Sequence, residues 1–101
     1  MNAKLTLVVG SAESDVPLQS LPLVVGRGTD VGLKLCDPWV SRRHCEIFET
    51  DGHLVVRDRG SKYGTWVNGH RVTEVTLNPG DRVSVGLSTL VASYDSRAFS
   101  D

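Results

Sequence analysis

A chain of 101 residues that is 40% hydrophobic and 23% charged is the size of one globular domain and can bury a core without disulfide or metal staples. Its net charge of −1 excludes whole-molecule attraction to nucleic acid or to an acidic membrane. No apolar run approaches the roughly 20 residues of a membrane helix. Two cysteines, Cys36 and Cys45, are too few for a disulfide framework, and the N-terminus has no signal-peptide pattern. Reduced thiols and a cytoplasmic setting are therefore expected, for a whole protein or for a domain of a longer one.

No stretch of helical length shows a 3.6-residue apolar period. Val- and Leu-rich runs alternate instead with Gly, Pro, Asp and Asn. In chain order, strands are expected over Lys4 to Val9 and over Leu21 to Val25, the latter ended by Gly26. A brief strand over Leu33 to Leu35 follows. His44 to Glu49 and His53 to Asp58 form a hairpin around Asp51-Gly52. Thr65 to Val67 and His70 to Val72 flank Asn68-Gly69, a tight-turn pair. Val75 to Leu77 runs into Asn78-Pro79-Gly80-Asp81, a turn by composition. Arg82 to Val85 and Thr89 to Tyr94 close the series. About ten short strands at this spacing predict an all-β sandwich or barrel. The folded domain is expected over residues 4–95, with tails at 1–3 and 96–101.

In such a fold, function sits on loops held by a rigid scaffold. Between Arg27 and Arg71 there are 8 Lys/Arg against 6 Asp/Glu, and elsewhere 3 against 6, so the loop-rich middle is mildly basic. Three of its loops carry anion donors: Gly26-Arg27, Ser41-Arg42-Arg43-His44, and Gly60-Ser61-Lys62-Tyr63-Gly64. A phosphate group has nearly two negative charges and three strong acceptor oxygens. It calls for guanidinium forks, hydroxyls and free backbone N–H groups converging from several directions, and glycine-flanked turns supply such N–H groups. Arg27, Ser41, Arg42 and Lys62 are the residue types this chemistry needs.

The order and spacing of these blocks resemble the forkhead-associated (FHA) domain. The resemblance is carried by Gly26-Arg27, by Ser41-Arg42-Arg43-His44, and by the run from Asp58 through Gly60-Ser61-Lys62-Tyr63-Gly64-Thr65-Trp66-Val67 to Asn68-Gly69. Leu77 to Val83 and Val85-Gly86 follow the next block. The resemblance implies a two-sheet antiparallel β-sandwich of about eleven strands whose loops at one end bind phosphothreonine peptides. It implies that Arg27 holds the phosphate or its own loop, that Ser41 gives its hydroxyl and backbone N–H to the phosphate, and that Arg42 adds a charged contact. By the same resemblance His44 holds Ser41 in place, Gly64 permits the turn beneath the site, and Asn68 and Gly69 shape the next hairpin and brace the binding loops. The commonest form of the motif has Ser-Thr-Asn-Gly where this chain has Ser61-Lys62-Tyr63-Gly64. Lys62 thus puts an ammonium in place of a hydroxyl, and Tyr63 puts a phenol in place of an amide. The position two before the motif serine, which helps select the residue three after the phosphothreonine, is Trp39. With Gly86-Leu87-Ser88 as the opposite wall, an apolar preference is expected there.

The partner implied is a phosphothreonine-bearing protein, a substrate of a Ser/Thr kinase or the kinase itself, with no nucleic acid, no membrane insertion, no cofactor and no catalysis. Cys36, His44, Cys45 and His53 lack the spacing of a metal site, since strand alternation separates His44 from Cys45. Ser41 and His44 lack a nucleophile-elbow pattern. Trp66, on an expected strand, is read as core. The alternative is a phosphate-independent interaction domain on the same scaffold.

Overall fold

In the computed structural model, which describes residues 3–18 and 21–94, every element is a strand. In chain order these are β1 (Ala3–Val9), β2 (Ala12–Val16), β3 (Leu23–Gly26), β4 (Leu33–Lys34), β5 (Cys45–Thr50), β6 (His53–Asp58), β7 (Thr65–Val67), β8 (His70–Val72), β9 (Glu74–Thr76), β10 (Arg82–Val85) and β11 (Ser88–Tyr94). They form a six-stranded sheet in the order β2-β1-β11-β10-β7-β8 and a five-stranded sheet in the order β4-β3-β5-β6-β9. All neighbours run antiparallel except β3 and β4, which make a short parallel pair through Val25 with Leu33 and Gly26 with Lys34. The chain is therefore the expected β-sandwich.

Alternation along the strands builds the core. Leu23, Val25, Cys45, Ile47, Leu54 and Val56 point inward from one sheet, and Leu5, Val67, Val83, Val85, Leu90 and Ala92 from the other. Burying a Val, Leu or Ile side chain is worth roughly 1.5–3 kcal/mol, so the ten of these among the twelve set the register firmly. A one-residue slip would turn them outward. The two hairpins read from sequence close as expected. Asp51 and Gly52 have φ of 52° and 79°, and Asn68 and Gly69 have 51° and 84°, the paired positive values that a two-residue turn between twisted strands requires.

The sequence reading misses β2. Of its five residues only Val16 is buried, so Ala12-Glu13-Ser14-Asp15 shows no alternation to detect. Backbone pairing to β1, from Leu5 with Val16 to Val9 with Ala12, makes it a strand. Other bounds shift by one or two residues, and β1 already begins at Ala3. The segment expected as a C-terminal tail, 96–101, lies outside the described residues.

The register places four connections at one end of the sandwich. Val25 lies opposite Cys45, Cys45 opposite Asp58, and Thr65 opposite Val85. Thr65 Oγ1 donates to Asp58 Oδ1 at 2.7 Å across the two sheets. The loops that follow β3, precede β5, join β6 to β7 and join β10 to β11 therefore share a surface.

Candidate anion-binding site

The first two loops are laced by backbone. Arg27 N–H donates to Ser41 O and Gly28 N–H to Arg42 O, each at 3.0 Å, while His44 N–H donates to Val25 O at 2.8 Å. This approach is so close that a Cβ at Gly26 would sit 2.0 Å from the Arg42 carbonyl oxygen, so only glycine fits. Arg27 Nε donates to Val40 O at 3.0 Å, which fixes the side chain at its root and leaves its outer guanidinium N–H groups toward solvent. Arg27, Arg42 and Arg43 line one open depression with Gly28, Thr29 and Asp30. Arg43 is ion-paired with Asp30. No carboxylate pairs with Arg27, Arg42 or Lys62 among the described residues.

His44 ties the second loop to the third. It is fully buried. Ser41 N–H donates to its Nδ1 at 3.1 Å, which assigns the ring proton to Nε2, and Nε2–H donates to Gly64 O at 2.7 Å. The Ser41 N–H is thus taken by the imidazole and not offered outward to a phosphate as expected, because the buried ring needs a donor for Nδ1. The Ser41 hydroxyl is placed differently. Its Oγ accepts from Lys62 N–H at 3.1 Å, so its own proton is left to donate outward. Lys62 Nζ lies 5.4 Å from the centre of the Tyr63 ring, within cation–π range.

The third loop is organised by Asp58, a role the sequence did not reveal. Its Oδ2 accepts from Gly60 N–H at 2.9 Å and Ser61 N–H at 3.0 Å. Its Oδ1 accepts from the Ser61 and Thr65 hydroxyls. Partial burial works to raise the Asp58 pKa, but the hydrogen bonds from Ser61 and Thr65 and from the loop N–H groups prevail and hold it below the ordinary value. Ser61 Oγ in turn accepts from Gly64 N–H at 3.0 Å, and Gly64 takes φ of 89°. The Asp-x-x-Ser spacing was the available signal: it is the spacing of a carboxylate that closes a turn on its own backbone.

Asp37, also missed, anchors the fourth connection. It is buried, its Oδ1 accepts from Trp39 N–H at 2.9 Å, and its Oδ2 accepts from Leu87 N–H at 2.6 Å. It therefore holds Trp39 opposite Leu87. These two residues, with Tyr63, Gly64, Trp66 and Gly86, line a shallow cleft of about 210 Å³. Trp39 meets Tyr63 edge to face, with ring centres 5.0 Å apart and planes at 76°. Two expectations are corrected here. Ser88 is buried and does not line this cleft. Trp66 is not core but 39% exposed, because Thr65 and Val67 take the inward positions of β7 and Trp66 Nε1 donates to Tyr63 O at 3.1 Å.

Asn68 and Gly69 stand apart from these loops. The Asn68 amide donates to Asp81 Oδ1 at 2.9 Å, and its oxygen accepts from Arg82 N–H at 3.0 Å. They shape the β7–β8 hairpin and brace the Asn78–Arg82 turn, not the binding loops, because β7 carries them to its far end. Of the four residues weighed as metal ligands, His44 has both ring nitrogens engaged. Burial, with the Asp58 charge adding to it and a Thr65 hydrogen bond opposing, pushes the Cys45 thiol up to about 12.

The FHA domain model matches residues 23–86, which takes in all four connections. The FHA domain-containing protein FhaA of Mycobacterium tuberculosis is 41% identical over 69 residues, covering 67% of this chain and 13% of that protein. The chain spans about half or less of the other curated relatives it matches. The solved FhaA FHA domain, complexed with the intracellular domain of a second protein, superposes with a TM-score of 0.80 at 34% identity, covering 89% of this chain and 98% of that one. A solved FHA domain studied for phosphothreonine-dependent interactions gives 0.76 at 30% identity, with coverage of 91% and 97%.

Proposed function

The chain belongs to the FHA-domain family, and from that premise we propose that it docks phosphothreonine segments of a partner protein in Ser/Thr-kinase signalling, through Arg27, Ser41, Arg42 and Lys62. The observation that carries this reading is the state of the Ser41 hydroxyl. Its lone pair is engaged by Lys62 N–H, so its proton is free for an acceptor, and no carboxylate among the described residues pairs with Arg27, Arg42 or Lys62. Such a site is preorganised for a dianion with several acceptor oxygens. Arg27 and Arg42 supply forked donors, and Lys62 supplies a point charge where the common motif has a hydroxyl.

The same geometry argues against catalysis. His44 binds the backbone N–H of Ser41 and not its hydroxyl, so it does not face that hydroxyl as a general base. The module binds and releases its partner unchanged. Beside the phosphate, the cleft of Trp39, Tyr63, Trp66 and Leu87 is the seat for an apolar side chain three residues after the phosphothreonine. A cytoplasmic setting completes the proposal, since both cysteines are free thiols and kinase substrates are met there.

Calorimetric titration with degenerate peptide pools tests it. The phosphothreonine pool is expected to bind at micromolar concentration, with matched phosphoserine weaker and the unmodified pool silent. Bound peptides are expected to be enriched in apolar residues at the third position after the phosphothreonine. Ser41→Ala and Arg42→Ala should each weaken binding about 10- to 100-fold, the range of a charged hydrogen bond worth about 1.5–3 kcal/mol. Equal affinity for phosphorylated and unmodified pools would transfer the interaction to another surface of the sandwich.

A further inference from the structure

One cation near the site is not accounted for by phosphate. Arg71 lies on β8 opposite Trp66. Its guanidinium rests over Gly64: a Cβ on that glycine would be 2.7 Å from Arg71 Nε, 3.0 Å from Cζ and 3.1 Å from Trp66 Nε1. Gly64 is the residue whose carbonyl receives His44. The Arg71 head group is therefore set on the floor of the third loop, at the Trp66 side of the aromatic cleft.

Apart from Arg27 and Arg42, which the phosphate reading uses, three arginines of the same sheets and loops are neutralised. Arg43 pairs with Asp30, Arg57 with Glu74 at 2.6 Å, and Arg59 with Glu46 at 3.4 Å. No carboxylate pairs with Arg71 among the described residues. It is exposed, yet its place is defined by the absent side chain of Gly64. A guanidinium held beside Trp66 at the edge of an apolar cleft, with no carboxylate paired to it among the described residues, is suited to a carboxylate brought by a ligand. The loop itself provides the path. Lys62 N–H touches Ser41 at the phosphate end, Tyr63 and Gly64 follow, and Trp66 with Arg71 close the other end. An extended segment leaving the phosphate along this loop crosses the apolar cleft and then meets Arg71.

We propose that Arg71 is a specificity residue that reads an acidic side chain of the phosphothreonine segment, placed beyond the residue seated in the Trp39–Tyr63–Trp66–Leu87 cleft. This rests on the phosphothreonine reading above and adds a second charge to it, separated from the phosphate by an apolar residue. The favoured ligand is thus phosphothreonine, then an apolar residue, then Asp or Glu.

The test is a set of phosphothreonine peptides on one neutral background, with a single Asp or Lys moved through each flanking position, titrated into the wild type, Arg71→Gln and Arg71→Glu. Arg82→Gln, an exposed arginine at the far end of β10, is the control. The wild type should prefer Asp over Lys at one position by about two- to fivefold, the range of an exposed ion pair. That preference should vanish in Arg71→Gln, invert in Arg71→Glu and persist in Arg82→Gln. An acidic preference that survives Arg71→Gln, no positional preference at all, or an equal loss for every peptide would overturn the assignment while phosphothreonine binding stands. Failure of all the phosphothreonine peptides to bind the wild type would remove the underlying function and this inference together.

Discussion

His44 shows how a residue that cannot touch ligand still decides the site. Its two ring nitrogens join the Ser41 N–H of one loop to the Gly64 carbonyl of another, and no water reaches it. In His44→Ala, both backbone groups lose their partner and the ring leaves a void. Unsatisfied buried polar groups cost about 1–3 kcal/mol each, so a loss of about 2–4 kcal/mol is expected, seen as a fall of roughly 10 °C or more in melting temperature for a domain of this size. A melting temperature equal to the wild type's would show that the loops do not depend on this bridge. Asp58 and Asp37 act in the same way from the sides, one closing the third loop on itself and the other joining Trp39 to Leu87. The sequence displayed all three residues. It gave a role only to His44, through the resemblance, because which backbone N–H a side chain reaches depends on loops distant in the chain.

Among the elements, the connections matter more than the strands. The loop after β3 and the loop before β5 approach until the backbone of Gly26 meets that of Arg42, and Gly26 is required there for space and not for a left-handed φ. Gly26→Ala must push the Ser41–Arg42 segment away. Overpacking of this kind costs about 1–3 kcal/mol, and here it also moves Ser41 and Arg42, the residues proposed to hold the phosphate, so phosphopeptide affinity should fall together with stability. At Gly28 the added atom would lie 3.0 Å from the same oxygen, and Gly28→Ala should be the milder change in both measurements. The reverse order would mean that the two loops are free to separate. Strand hydrophobicity made most elements legible, down to the hairpins at Asp51-Gly52 and Asn68-Gly69. It failed for β2, whose residues are exposed apart from Val16 and show no alternation, so that its backbone pairing with β1 is what makes it a strand. It also failed for Trp66, since a three-residue strand offers too little alternation to decide which face is buried.

For the molecule as a whole, ligand binding and folding respond to pH in separate windows. Phosphothreonine takes up its second proton near pH 6, so the cluster of Arg27, Arg42 and Lys62 meets a monoanion below that value. Affinity should drop up to about tenfold between pH 7 and pH 5. What Asp58 contributes to the scaffold should not change in that range. Asp58 has a depressed pKa in the folded state, so the stability it contributes is fully present above the ordinary aspartate value of about 3.9. That contribution is lost only as the pH falls further, through the lower folded value. Titrations at pH 7 and pH 5, with melting curves of the wild type and Asp58→Asn beside them, check this: weakened binding and an unchanged melting-temperature gap between the two proteins are expected. A gap that narrows from pH 7 to pH 5 would place the titration of Asp58 in the same window as that of the ligand.

By itself the sequence determined the sandwich, most of its strands and the set of anion donors, because alternation, turn pairs and residue type are local properties that need no partner to be read. Only the tertiary structure decided what each donor has left to give. The Ser41 N–H is spent on His44 while its hydroxyl is free, Asn68 serves a turn at the far end of β7, and Arg71 comes to rest over Gly64. Each of these outcomes depends on a hydrogen bond or a steric vacancy contributed by a loop or strand elsewhere in the chain, a relation that spacing along one segment does not contain.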